Sequence, residues 1–286
     1  MSLDYLKERY VNPYTDFGFK RLFGEEMNKD LLISFLNALL GEEQHVVDVT
    51  YLRNERLGFL EKDRKAVFDV YCENDRGGKF IVEMQKAEQQ FFKDRSVFYS
   101  TFPIRDQAKQ GKWDFELKSV YMIGVLDFVF DEDKDVDAYY HHEVKLMDVR
   151  KKEVFYDKLT FIYLEMPKFT KREDELVTLF DKWMYVLKNL PCLLERPGAL
   201  QERVFERLFR VAEIARFDKR ELMEYEESLK VFRDLDNVIT TAELKGRAEG
   251  EMKKAKEIVA KLKARNVSLE EIAEITGLSV EEIAGL

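Results

Sequence analysis

The chain has 286 residues, 45% hydrophobic and 13% aromatic, which is enough apolar material for a sizeable core and too much for a disordered segment. Charged residues make up 36% with both signs interleaved, and the net charge of -9 excludes a passive, sequence-blind nucleic-acid coat, which has to be basic. Two cysteines, Cys72 and Cys192, cannot build a disulfide framework or a Cys-based zinc site.

Phe17, Phe19, Leu22 and Phe23 lead at helical spacing into Leu31, Leu32, Phe35, Leu36, Leu39 and Leu40. This predicts a helical stretch from Asp16 to Leu40, broken near Gly24 and Asn28 and closed by Gly41. Strand-like segments follow at Val46 to Leu52, Ala66 to Glu73 and Lys79 to Lys86. The last two are joined by Asn74-Asp75-Arg76-Gly77-Gly78, whose turn formers predict a hairpin. A helix is expected from Glu88 to Gln110 with a kink near Pro103, then a buried strand at Val120 to Phe128. Two more apolar segments lie near Glu143 to Val149 and Leu159 to Met166.

After Pro167 the pattern turns helical: Glu175 to Leu190, Gln201 to Phe217, Lys219 to Val231 and a long helix from Val238. The expected fold is α/β, a core of helix, three-strand meander, helix and strand followed by a C-terminal all-α region. A boundary near residues 167–172 divides the chain into 1–170, a helical part 171–240 and a charged tail 241–286. The start, MSLDYLKERY, lacks the apolar stretch of a signal peptide, and no run approaches the roughly 20 apolar residues of a membrane span. A reducing cytoplasm without membrane association is expected.

The hairpin is the most informative stretch. With the turn centred on Arg76, Phe68 faces Met84, Val70 faces Val82 and Cys72 faces Phe80, an apolar face that sets the register because a one-residue slip would turn every side chain over. The other face then pairs Val67 with Gln85, Asp69 with Glu83 and Tyr71 with Ile81. Opposed carboxylates destabilise a sheet unless a cation lies between them, and hard oxygen ligands suit Mg²⁺ or Mn²⁺. Gln85 points to the same side and is placed to orient a water or a phosphate oxygen. The same spacing also occurs on the solvent face of ordinary hairpins, so the residues alone leave both origins open.

Other features have two readings each. Arg95 and Tyr99 lie four apart on one face of the helix after the hairpin, suited either to a phosphate or to packing with a snorkelling Arg. His141 and His142 have no third ligand at regular spacing and are expected in a surface loop. Trp183 and Tyr185, with Phe180, Leu187 and Leu190, are expected in the core. In the tail, Ser268 and Ser279 read as N-caps around Gly277, spaced as in a helix-turn-helix with Ile272, Ala273 and Ile275 packing on Val280 and Ile283. The last helix carries Glu281 and Glu282 where a DNA reader has Arg or Lys, so packing or self-association is at least as well supported.

The stretches NPYTDFGFKRLFG, FDVYCENDRGGKFIVEMQ, RSVFYS and VYMIGVLDF, with the ending SLEEIAEITGLSVEEIAGL, resemble the PD-(D/E)XK nuclease family of transposases, related to the recombination-promoting nucleases. The resemblance covers most of residues 10–170 and recurs at the C-terminus. It implies a restriction-endonuclease-like core in which Asp69 and Glu83 bind metal, Asp16 completes the metal shell, and Asp69, Glu83 and Gln85 form the catalytic signature. Gln85 stands where much of the wider superfamily has lysine. Lys86 leaves the strand on the opposite face, so Lys20 or Lys93 is expected to supply positive charge, with Arg95 and Tyr99 on the substrate side.

The expected function is a Mg²⁺- or Mn²⁺-dependent DNA endonuclease acting in recombination or transposition, with DNA as partner and a homodimer admitted. The alternative is a non-catalytic DNA- or protein-interaction module that keeps the nuclease fold. A third is a helical structural protein with a fortuitous acidic hairpin.

Overall fold

The computed structural model describes residues 8–41, 44–52, 55–56, 66–87, 89–108, 111, 114–134 and 139–285. The chain start at residues 1–7 and part of the acidic run, residues 135–138, lie outside them.

Helix α1 (Asp16–Phe23) begins where Thr15 caps it, its hydroxyl accepting from the Gly18 amide at 3.0 Å and donating to the Asn12 carbonyl at 2.7 Å. That tight entry explains Gly18: a Cβ there would stand 2.1 Å from the Asn12 carbonyl oxygen. Gly18→Ala is therefore expected to cost about 1–3 kcal/mol or more, lowering the melting temperature, and an unchanged melt would show that the entry can relax. Helix α2 (Lys29–Leu40) follows a short 3-10 turn and ends at Gly41, whose φ of +71° favours glycine. The break expected near Gly24 and Asn28 is thus a real joint.

Among the described residues, eight strands follow the meander expectation and extend it. β1 (Val49–Tyr51), β4 (Val70–Asn74), β5 (Lys79–Gln85), β6 (Val120–Leu126), β8 (Glu153–Glu165) and β7 (His141–Asp148) form one mixed sheet in that spatial order. β4 runs antiparallel to both of its neighbours, β1 and β5, β6 and β8 run parallel to β5, and β7 returns antiparallel along β8. β2 (Glu55–Arg56) and β3 (Ala66–Val67) form a separate pair. The β7–β8 hairpin is longer than its apolar segments suggest, since residues 153–158 are mostly exposed and pair without entering the core.

The β4–β5 register matches the one centred on Arg76: Val70 faces Val82, Tyr71 faces Ile81 and Cys72 faces Phe80. Asn74 builds the turn by accepting from the Gly78 amide at 2.7 Å, and Gly77 adopts φ +83°. The expected strand from Ala66 does not stay on β5, however. Val67 pairs with Glu55 instead of Gln85, and the chain leaves the ladder at Phe68 and Asp69. Phe68 is consequently not on the Val70 face. It packs with Tyr71, Tyr99 and Phe102, ring centroids 5.4, 5.3 and 6.2 Å away.

Helix α3 (Phe92–Arg105) runs through Pro103 and lies on the sheet face carrying Tyr71, Ile81, Met122 and Phe161. Gly124 on β6 allows the close approach, for a Cβ there would meet Phe92 and Tyr163 at 3.4 and 3.3 Å. The expected helices after Pro167 appear as α4 (Leu179–Asn189) and α5 (Arg203–Ala212). Trp183 is fully buried with Phe23, Phe35 and Phe205, its indole N–H donating to Ser34 at 3.2 Å. The core holding α1 and α2 is therefore completed by α4 and α5, and the compositional change at 167–172 falls inside the first compact unit, residues 1–229. The reason is that α1 and α2 bury their aromatic faces only against these later helices.

The segments expected as two helices from Lys219 and Val238 are one continuous helix, α6 (Lys219–Lys263). The second unit, residues 230–286, has its own small core of Val259, Ile272 and Ile283. It contains α7 (Leu269–Thr276) and α8 (Val280–Ala284), capped by Ser268 and Ser279 and separated by Gly277 at φ +70°. Ile275, expected in that packing, is 57% exposed. Among the described residues no helix is long and apolar enough to cross a membrane.

Candidate metal centre and its surroundings

Asp69 lies at the point where the chain leaves the ladder, and its carboxylate accepts from the Met84 amide at 2.9 Å. Glu83 is on the adjacent β5, 4% exposed, on the face covered by α3. Burial pushes the Glu83 carboxyl up to about 8, the Asp69 charge adds to that rise, and Arg95 opposes it. Asp69 is raised as well, by burial first, with Asp16 contributing and the Met84 amide, Lys20 and Arg95 opposing. Two carboxylates that each raise the cost of ionising a neighbour in a dry place are not the solvent face of an ordinary hairpin. That arrangement stores a demand for positive charge.

The cation closest at hand is Arg95. Its guanidinium donates to Gln85 Oε1 at 2.6 Å, stands 3.4 Å from Glu83 Oε2, and lies over the Tyr99 ring at 5.6 Å. Gln85 is held at both ends, because its amide nitrogen donates to the Ala87 carbonyl at 3.1 Å. The Tyr99 phenol is raised by burial and then by the Glu83 charge, so it too faces this cluster. Sequence spacing showed that Arg95 and Tyr99 share a helix face; only the packing of α3 shows that the face is turned to Gln85 and Glu83.

The remaining candidates divide. Lys20 and Asp16, on α1, form an ion pair at 2.7 Å with the Asp16 side chain 64% exposed, and both act electrostatically on Asp69. Lys93 turns elsewhere, pairing with Glu132 and lying 4.3 Å from the Phe130 ring centroid. Lys86 leaves on the opposite face, its ammonium 2.7 Å from Asp127. Beside Arg95 a groove of about 560 Å³ opens between α3 and its preceding turn, lined among others by Gln89, Phe91, Phe98 and Tyr99. Phe91 and Phe98 are 65% and 46% exposed.

Among the described residues, one set of three His, Asp or Glu ligand atoms lies within 4.8 Å of one another, and it is Asp133, His142 and Glu165. Asp16 is not in such a set with Asp69 and Glu83. The histidine pair expected in a surface loop starts β7 instead, because it pairs with Leu164 and Tyr163 of β8. His142 turns to the α3 face, while His141 meets Phe180 on the other at 5.2 Å. Nothing in local spacing announces this cluster, whose members come from a 3-10 turn (Asp131–Asp133) and from the paired strands β7 and β8.

No curated protein and no solved structure matches the chain. A family model, PD-(D/E)XK nuclease family transposase, matches residues 13–242. The match continues through α4 and α5 into α6, well past residue 170, and stops short of α7 and α8. Asp69, Glu83, Gln85 and Arg95 all fall inside it. The chain belongs to the PD-(D/E)XK nuclease family transposases.

Proposed function

We propose that this protein is a divalent-metal-dependent endonuclease that hydrolyses DNA phosphodiester bonds, with Asp69 and Glu83 as metal ligands. The observation that carries this is the buried pair itself: two carboxylates on adjacent segments of the sheet, both raised by burial, with Glu83 at about 8. All-oxygen ligands of this kind fit Mg²⁺ or Mn²⁺, the class of ion that PD-(D/E)XK nucleases generally use. A bound ion would supply a water of lowered pKa and a counter-charge for the scissile phosphate.

The chain's own groups do the rest. Asp69 is aimed by the Met84 amide, so its carboxylate is oriented before any ligand arrives. Arg95 supplies the fixed positive charge that a lysine at position 85 would bring, and Gln85 holds its guanidinium in place. In this role Arg95 donates to a non-bridging phosphate oxygen as charge accumulates there. Lys20 and Asp16 form the rim on α1. Phe91 and Phe98 offer aromatic faces in the groove beside Arg95, suited to stacking on a base next to the scissile phosphate. Lys93, bound to Glu132, has no part in it.

The test is nicking of supercoiled plasmid in Mn²⁺ or Mg²⁺. Wild type is expected to convert it to open circles, and Asp69→Ala is expected to leave it intact. Equal nicking by both proteins, or none by wild type at saturating metal, sinks the proposal. The second outcome would leave a DNA- or protein-binding module on a nuclease fold.

A further inference from the structure

We propose that Asp133, His142 and Glu165 form a second metal site, separate from Asp69 and Glu83, that takes a transition-metal ion of the Zn²⁺ type. His142 Nε2 stands 3.3 Å from Glu165 Oε2 and 3.7 Å from Asp133 Oδ2. Two ligands at roughly 2.1 Å from a tetrahedral ion are about 3.4 Å apart, so the two distances from His142 are already close to those of such a shell, and the carboxylate oxygens lie within 4.8 Å of each other. The Glu165 side chain is fully buried, with Oε2 ion-paired to the Lys168 ammonium, whereas the buried His142 Nε2 makes no hydrogen bond among the described residues. A buried imidazole nitrogen that faces two carboxylate oxygens and bonds to neither is a demand for a further body between them. An imidazole with two carboxylates suits Zn²⁺ better than Mg²⁺, which prefers an all-oxygen shell.

The neighbours say how the ligands are held. Glu165 Oε1 accepts from the Phe130 amide at 2.7 Å, which orients the carboxylate. Lys168 stands 2.8 Å from Glu165 Oε2, and its ammonium is the competitor an incoming ion has to displace. Glu132, next to Asp133, holds Lys93 of α3, so an ion here would clamp the connection after β6 to β7, β8 and the start of α3.

The sheet register separates the two sites. Gln85 pairs with Leu126, and Leu126 with Glu165, so Glu165 lies in the same row two strands away. Two strand spacings of about 4.8 Å put its backbone roughly 10 Å from that of Gln85. Paired catalytic ions sit about 3.5–4 Å apart, so this is not the second ion of a two-metal nuclease centre.

Because the inference does not rest on nuclease activity, its test removes the other site. Full-length protein carrying Asp69→Asn and Glu83→Gln, stripped with chelator, is titrated with Zn²⁺ against a chromophoric chelator, and its melting is followed with and without the ion. One equivalent of Zn²⁺ is expected to bind and raise the melting temperature. Adding His142→Gln is expected to weaken binding at least about tenfold, and Lys168→Gln to tighten it. If His142→Gln does not fold, Asp133→Asn, with a side chain only 20% exposed in a 3-10 turn, carries the same comparison. No bound equivalent in the silenced protein overturns the inference, as does an affinity indifferent to the ligand substitution. The cluster would then be an ion-pair network held by Lys168.

Discussion

Glu83→Gln is expected to abolish metal-dependent DNA cleavage and, in the same protein, to raise its melting temperature at pH 8 to 9 without metal. The second half follows from the first. Glu83 ionises at about 8 in the folded chain against an ordinary 4.5, because it is buried beside Asp69. A folded-state value above the unfolded one for an acid means the native state holds its proton more tightly than the unfolded chain. Stability therefore falls as pH rises from about 4.5 to about 8, and the full penalty remains above that. The cost of the charged form is on the order of a few kcal/mol. Glutamine keeps the shape and removes the charge, so the metal-free variant should melt about 5 °C or more above wild type at alkaline pH. The two proteins should converge near pH 4.5.

Metal reverses the sign for wild type. The ion binds the ionised carboxyl, so affinity should rise with pH up to about 8 and each binding event should release protons, readable by calorimetry in buffers of different ionisation heat. Loss of activity in Glu83→Gln together with a lower melting temperature at pH 9 would show a structural carboxylate instead. Unchanged Mn²⁺ affinity in the variant would move the metal away from β5.

Arg95→Ala is expected to reduce cleavage about 10²- to 10³-fold, the usual loss when one donor to developing charge is removed. Its guanidinium is the group that touches both Gln85 and Glu83. The variant's metal affinity should rise, not fall, since a positive charge beside the carboxylates has gone. That opposition between affinity and rate separates a catalytic Arg from a structural one. Adding Gln85→Lys to Arg95→Ala should restore part of the rate, because it returns a cation to the end of β5. Full activity in Arg95→Ala would remove Arg95 from the reaction.

The residues that repeat locally were legible before any fold was known. Alternation around Arg76 defined the β4–β5 register, and Gly41, Ser268 and Gly277 marked helix ends, since turns and caps depend on near neighbours. The same alternation put Asp69 and Glu83 on one side. It misplaced Phe68, because Ala66 and Val67 pair with Arg56 and Glu55 of β2 and the chain leaves the β5 ladder there. Lys93, named with Lys20 as a source of positive charge once the family resemblance was drawn, pairs with Glu132. Helical periodicity split α6, whose charged middle carries too little apolar pattern to declare its continuity.

Legible in the sequence were the two carboxylates on one side of a hairpin, the turn that opposes its strands and the family motifs around them. Tertiary packing is what buries Glu83, brings Arg95 onto Gln85 and sets His142 beside Asp133 and Glu165. The reason is one of range. Register and capping are settled by interactions a few residues apart, whereas burial and convergent charge depend on which distant strands and helices close over them.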